Sequence, residues 1–282
     1  MRLDTTPPGA PTFLLPVPSG WSNENRFSIS WTNPPEPAGI AGAYYKLNSP
    51  PVANGDGVWV STDNTINDIT LPGEGSHRIY IWLQDGAGNV DYRTRNSEVF
   101  YYDATPPTTT LRLTGTLGLN GWYTSPVAGG LSAQDNLSGV DATRYRINAG
   151  GWQTSSSFSL TANGVYTVEY RSQDRAGNQE PTRSALVRID NQPPSTTLAK
   201  QGTLGQAGWY TSPVTITLTP TDAVSGPALT RYRVNGGAWQ QGTSFTLSVD
   251  GIHQIEYYTP VSYTHLRAHE TPEHLVCRLL LE

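Results

Sequence analysis

The chain has 282 residues, with 18 Lys and Arg against 23 Asp and Glu and a formal net charge of −5. That balance leaves no basic footprint for nucleic acid, and no apolar run is long enough to cross a membrane as a helix. Hydrophobic residues make up 36%, with 8 Trp and 15 Tyr, and 28 Gly and 22 Pro interrupt the chain. This composition suits many short strands joined by turns, with large aromatic side chains filling small cores.

The first region opens on Asp4, two residues and Pro7-Pro8. Pro-Pro favours extended backbone and resists helix, so it reads as a semi-rigid joint. No signal peptide is read here, and because Met1 could be either the true start or an internal methionine of a longer protein, export is not judged from this start. Phe27, Ile29 and Trp31 alternate, then Tyr45 and Leu47, then Ile79, Ile81 and Leu83, each set forming one buried strand face. Asp85-Gly-Ala-Gly-Asn89 is a hairpin turn in which Gly and Asn accept positive φ and Asp closes the turn.

From Asp103 the chain carries one pattern twice, 87 residues apart. Asp103 and Pro106-Pro107 return as Asp190 and Pro193-Pro194, and Gly121-Trp-Tyr-Thr-Ser-Pro-Val127 returns as Gly208 to Val214. Tyr145-Arg-Ile-Asn148 becomes Tyr232-Arg-Val-Asn235, Trp152-Gln153 becomes Trp239-Gln240, and Glu169-Tyr170 becomes Glu256-Tyr257. Val214-Thr-Ile-Thr-Leu-Thr219 alternates as a half-buried strand, Asn235-Gly-Gly237 is a hairpin signal, and His253, Ile255 and Tyr257 form a late inward face. Runs spaced by turns over roughly 90–100 residues predict seven-strand β-sandwiches. The fold class is therefore all-β, tandem immunoglobulin-like sandwiches over 1–103, 104–190 and 191–259.

The third copy breaks at Thr259. Copy two continues through Asp174-Arg-Ala-Gly-Asn178 to the strand-like Ser184–Ile189, whereas copy three turns into Pro260–Glu282. This string resembles the translation of a sequencing-library adapter, so 260–282 is read as a non-native tail and the third module as truncated, lacking its last strand. A C-terminal helix is the competing reading, on the spacing of Leu275, Leu279 and Leu280. The tail holds the only cysteine, Cys277, and three of the five histidines, His265, His269 and His274. A metal or nucleophile site built from them is discounted.

Several residues invite a site. Asp135, Asp141 and Asp222 are calcium candidates, because calcium takes clustered carboxylate and carbonyl oxygens. The second acid of copy two, Asp141, is Ala228 in copy three, and the favoured reading is an Asx turn closed on nearby N–H groups. Trp122, Trp152, Trp209 and Trp239 could offer aromatic platforms to sugar rings, but capping of the sandwich cores is favoured. Arg146 with Glu169, and Arg233 with Glu256, fall on neighbouring strands as exposed ion pairs. His77 and His253 occupy the place of Tyr166, where a structural hydrogen bond is expected. No Ser-His-Asp set, Gly-x-Ser-x-Gly elbow or phosphate loop appears, so neither catalysis nor a cofactor is expected.

Gly-Trp-Tyr-Thr-Ser-Pro-Val, Asp-x-x-Ser-Gly, Tyr-Arg-(Ile/Val)-Asn and Asp-x-Ala-Gly-Asn together resemble bacterial immunoglobulin-like and fibronectin type III-like repeats. Copies two and three resemble the extracellular repeat named after a leptospiral surface protein, while the first region lacks the Gly-Trp-Tyr motif. The resemblance implies a fragment of a larger bacterial secreted or cell-surface protein. Its modules would space or present other domains of the parent, each extending the array by about 33 Å, the span of a ten-residue strand. Adhesion to surface glycans through exposed aromatics is the alternative.

Overall fold

The alternating runs pair into three successive pairs of sheets. The computed structural model describes residues 2–260 and the backbone of strand 275–279. Among the described residues there are strands and three short 3-10 turns, and no helix is long and apolar enough to cross a membrane.

In the first pair, β1 (Thr12–Val17), β3 (Phe27–Thr32) and β6 (Thr65–Ile69) form a three-stranded sheet in the order β1-β3-β6. β2 (Trp21–Ser22), β4 (Ile40–Leu47), β5 (Val58–Val60), β7 (Gly75–Asp85) and β8 (Asn96–Tyr102) form the other, in the order β2-β8-β7-β4-β5. Phe27, Ile29 and Trp31 share one buried core with Ile79, Ile81, Leu83 and Phe100, and the Phe27 and Phe100 rings lie 4.9 Å apart. The period-two alternation thus places one face of each sheet inside, as it should.

The second pair repeats this plan. β9 (Thr108–Thr114), β11 (Val127–Gln134) and β14 (Ser157–Leu160) run in the order β14-β11-β9. β10 (Trp122–Tyr123), β12 (Val140–Ile147), β13 (Gln153–Thr154), β15 (Gly164–Asp174) and β16 (Arg183–Ile189) run in the order β10-β16-β15-β12-β13. In the third pair, β17 (Ser195–Gln201), β19 (Val214–Thr221) and β22 (Ser244–Leu247) form the sheet β17-β19-β22. β18 (Trp209–Tyr210), β20 (Arg231–Val234), β21 (Gln240–Gln241), β23 (Gly251–Tyr258) and β24 (Leu275–Leu279) form β18-β24-β23-β20-β21.

One expectation is corrected. Each sandwich has eight strands, three facing five, where seven were expected. The additional strand in the repeats is the Trp-Tyr of the repeated motif, which lies parallel to the last strand, Trp122 opposite Arg188 and Trp209 opposite Arg278. A 3-10 turn delivers it, with positive φ at Asn120 and Gly121 (53° and 76°) and at Ala207 and Gly208 (53° and 81°). That reversal is why the motif begins with glycine. The edge left where the third repeat stops at Thr259 is covered from the segment read as a tail. Leu275–Leu279 pairs antiparallel with β23, from Ile255 opposite Leu275 to Gly251 opposite Leu279. An open edge presents unpaired N–H and C=O groups, and Leu-Val-Cys-Arg-Leu can pair with it as a strand, so the helical spacing does not prevail. His265, His269 and His274 lie outside the described residues, and Cys277 is described through its backbone alone.

By closeness of packing the chain divides into two units, 1–110 with 132–144 and 170–183, and 111–131 with 145–169 and 184–282. The first contains a buried polar knot: Thr109 Oγ1 lies 2.6 Å from Ser172 Oγ, which lies 2.9 Å from Thr143 Oγ1. The carboxylate of Glu180, 3% exposed, accepts the amides of Thr109 and Ser172 at 3.1 and 2.8 Å and also the Thr109 hydroxyl. In the second unit the counterparts 87 residues on form the same knot, Thr196 and Thr230 each bonding Thr259 at 2.8 and 2.9 Å. Around it Val214, Ile216, Leu218, Tyr232, Leu247 and Ile255 form a buried apolar core.

Candidate functional site

The repeated acids converge on the joints. Asp103, the joint residue, is wholly buried, and its carboxylate accepts the amides of Thr105 (3.1 Å) and Ser138 (2.9 Å). Asp135 Oδ2 accepts the amides of Leu137 and Gly139 at 3.1 and 2.8 Å, the expected Asx turn. Asp174 accepts the amide and the side-chain amide of Asn178, both at 2.8 Å, while Asn178 Nδ2 also donates to the Asp103 carbonyl at 2.7 Å. One oxygen from each of Asp103, Asp135 and Asp174 lies within 4.8 Å of the others. Asp141, the partner expected for Asp135, is exposed and outside this group. Asp103 and Asp174 were missed as site residues, although their recurrence at each joint and hairpin was visible. The third calcium candidate, Asp222, closes its own turn on Val224 and Gly226 at 3.0 and 2.9 Å.

The first region builds an equivalent group. Oxygens of Asp4, Glu36 and Asp85 lie within 4.8 Å of one another, and Asn89 Nδ2 donates to both Asp85 and the Asp4 carbonyl. Burial pushes the Glu36 carboxyl above its ordinary value, with Asp4 and Asp85 adding to the rise against one amide bond from Ala38. Burial also pushes Asp85 up, but hydrogen bonds from Asn89, Ala87 and Gly88 outweigh it and leave this carboxyl below its usual range.

The four tryptophans do not form one platform. Trp122 and Trp209 lie on β10 and β18, at one edge of their five-stranded sheets, while Trp152 and Trp239 adjoin β13 and β21 at the opposite edge. Four strand spacings, about 19 Å, separate the edges. The Arg146 guanidinium lies 4.8 Å from the Trp152 ring centre, and Arg233 lies 4.7 Å from Trp239. Each arginine is held from behind, Arg146 by Glu169 at 2.7 Å and Arg233 by Glu256. Hydrogen bonding between the first pair holds the Glu169 carboxyl below its usual range and raises Arg146. The cation thus covers an indole face that a sugar platform would keep open. Trp239 is 42% exposed and meets Tyr258 edge-on at 4.8 Å.

A further aromatic group escaped notice in the sequence. Trp82 alternates out of phase with Ile81 and Leu83 yet is fully buried, stacked at 5.5 Å on Tyr44 and donating to the Asn54 carbonyl at 2.9 Å. The 50–57 loop covers the outer sheet face here, and strand alternation cannot report such a covering loop. The histidines act as expected of the Tyr166 position. His77 Nε2 and His253 Nε2 bond the carbonyls of Gly73 and Val249, four residues upstream, as the Tyr166 hydroxyl bonds Ala162.

No protein-family model and no curated protein matches the sequence. Among solved structures, the chain is similar to fibronectin(III)-like modules of CbhA from Clostridium thermocellum, at 12% identity and a TM-score of 0.33, covering 63% of this chain and 94% of that one. It is also similar to a tetra-tandem repeat from the extending region of a large adhesion protein, at 17% identity and a TM-score of 0.30, over 91% of this chain and 69% of that one. The D00-D0 domain of Intimin shows 16% identity and a TM-score of 0.30, over 60% of this chain and 97% of that one.

Proposed function

We propose that the chain is a run of three immunoglobulin-like modules, 1–103, 104–190 and 191–259, serving as a non-catalytic spacer within a larger bacterial secreted or cell-surface protein. One observation carries this reading: the polar residues that recur with the repeat are engaged in holding the fold. Asp103 and Asp190 tie each joint to the module after it, through Ser138 and Ser225. The hydroxyl knots bind strands together, Asn148 and Asn235 lock their hairpins through the Thr167 and Gln254 amides, and Arg146 and Arg233 are each spent on a glutamate and an indole. Both described histidines are committed to structural bonds. Residues 260–282 stand in for the repeat's own continuation, and a long read of the source locus past codon 259 tests that assignment.

Adhesion to surface glycans is the second reading, favoured by the 42% exposure of Trp239 and the 40% exposure of Trp59. A glycan array on the full chain separates the two. Binding that is lost with Trp152→Ala or Trp239→Ala assigns adhesion. Absence of binding across the array, with indole fluorescence unmoved by sugars, is the outcome expected of a spacer.

A further inference from the structure

We infer that Asn120-Gly121 is a site of spontaneous modification, where Asn120 loses ammonia, becomes isoaspartate and so releases the Trp122-Tyr123 strand from the last strand of its module. An asparagine followed by glycine is open to this chemistry because no side chain on the second residue shields its backbone nitrogen. Four such pairs stand in the chain, at Asn54, Asn120, Asn163 and Asn235. Local sequence makes them equivalent, and the fold does not.

Three of the four side-chain amides are tied down. Asn54 Nδ2 donates to the Val90 carbonyl at 2.8 Å, and its Oδ1 accepts the Tyr92 amide at 3.0 Å. Asn235 Oδ1 accepts the Gln254 amide at 2.8 Å, and its Nδ2 lies 3.3 Å from His253 Nδ1. Asn163 Oδ1 accepts the Asn191 amide at 3.0 Å. Asn120 is exposed, and its side chain makes no hydrogen bond among the described residues. A Cβ on Gly121 would meet nothing within 4 Å, so the peptide between the two residues has room to turn. The carbonyl of that same peptide lies 3.4 Å from Arg188 Nη1, which donates to it, and a cation there favours the amide anion that must attack.

The step needs only water. The Gly121 nitrogen bonds to Asn120 Cγ, the Cγ–Nδ2 bond breaks, and Nδ2 leaves as ammonia with the Gly121 amide proton. Water then opens the cyclic imide, at Cγ to give aspartate or at the main-chain carbonyl to give isoaspartate. Reaching Cγ requires ψ of Asn120 to leave its 24°, and an exposed turn opens at low free-energy cost. Isoaspartate routes the chain through Cβ and Cγ, which lengthens the reversal that sets Trp122 opposite Arg188. The strand so delivered is two residues long, and Tyr123 O accepts the amide of the joint residue Asp190 at 2.8 Å. The third module makes the same turn with Ala207, at φ 53° and ψ 27°. The turn therefore needs no asparagine, and its copy is immune to this chemistry. A spacer and an adhesin would carry the modification alike.

The test ages the full chain in mildly alkaline buffer and follows each asparagine by peptide mass spectrometry, with an isoaspartate methyltransferase marking the isoaspartate. Asn120 should convert about two- to tenfold faster than Asn54, Asn163 and Asn235, the factor that one intramolecular hydrogen bond supplies. In urea all four should convert at similar rates. Conversion at Asn120 no faster than at the other three in the folded chain, or the same ranking persisting in urea, overturns the assignment. On ageing, the Asp190 amide should lose protection from hydrogen exchange in the unsubstituted chain and keep it in Asn120→Ala, which copies Ala207. Isoaspartate accumulating at Asn120 with Asp190 protection unchanged refutes the release of the strand.

Discussion

Gly129 and Phe158 offer the sharpest test of how the repeats pack. A Cβ at Gly129 would stand 2.1 Å from Phe158 Cζ and 2.3 and 2.5 Å from its ring neighbours, so the ring must retreat by about 1.3 Å to reach the 3.4 Å where ordinary contact begins. Phe158 is 7% exposed and meets Tyr145 at 5.1 Å with a 39° tilt. The counterpart of Gly129 in the next repeat is Ile216, fully buried, and there Phe245 lies flat on Tyr232 at 4.0 Å and 7°. The residue beneath the ring sets its tilt. Overfilling a packed core by one carbon costs about 1–3 kcal/mol, and relief from glycine's backbone freedom returns about 0.5–1 kcal/mol. Gly129→Ala should therefore destabilise by about 1–2 kcal/mol. The assay is peptide-resolved hydrogen exchange over 127–134 and 157–160 in the full chain. Phe158→Leu should remove much of the clash, so the double variant should be less destabilised than the sum of the singles, by about 1 kcal/mol for residues in contact. Protection in Gly129→Ala equal to or above that of the parent, or strict additivity in the cycle, would refute the reasoning.

Glu180→Ala should strip the buried Thr109 and Ser172 amides of their acceptor and cost about 3–5 kcal/mol; Glu180→Gln keeps an acceptor and should cost less. Urea unfolding of the three proteins decides this, and equal losses in both variants would contradict it. For the first region, the lowered Asp85 carboxyl contributes stability that is fully present above its unfolded value of 3.8 and lost as pH falls through the folded value. Asp85→Asn should flatten the melting temperature below pH 3.8. The raised Glu36 carboxyl acts with opposite sign, its contribution declining as pH rises from 4.5 through the folded value, so Glu36→Gln should remove that fall. Cutting the chain after Thr259 leaves β18 and β23 without the intervening strand. Light scattering should then show association at concentrations where the full chain stays dispersed.

Local pattern was enough for the long alternating strands, the turns and the pairing of Arg146 with Glu169, but not for the short Trp-Tyr strands or for the half-buried setting of that ion pair. Val214, Ile216 and Leu218 face inward because side chains alternate across a strand. Asp135 and Asp222 close turns on amides two and four residues away. Arg146 meets Glu169 because directly paired strands bring such residues side by side. Recurrence at 87 residues also extended each such reading to its copy. What sequence left open depended on chain segments far apart. The Thr109, Thr143 and Ser172 hydroxyls look like ordinary strand residues until the sheets are paired. Glu180 reads as a surface acid until its buried amides are seen. The four tryptophans look equivalent until strand order sends them to opposite edges, and Asp103 joins Asp135 and Asp174 across 32 and 71 residues. The bare edge after Thr259 follows from the repeat, but its occupation by Leu275–Leu279 was settled by backbone pairing. Periodicity reports which way a side chain points from its own strand, whereas a site needs register, sheet order and the path of covering loops, and these are fixed when separate segments come together.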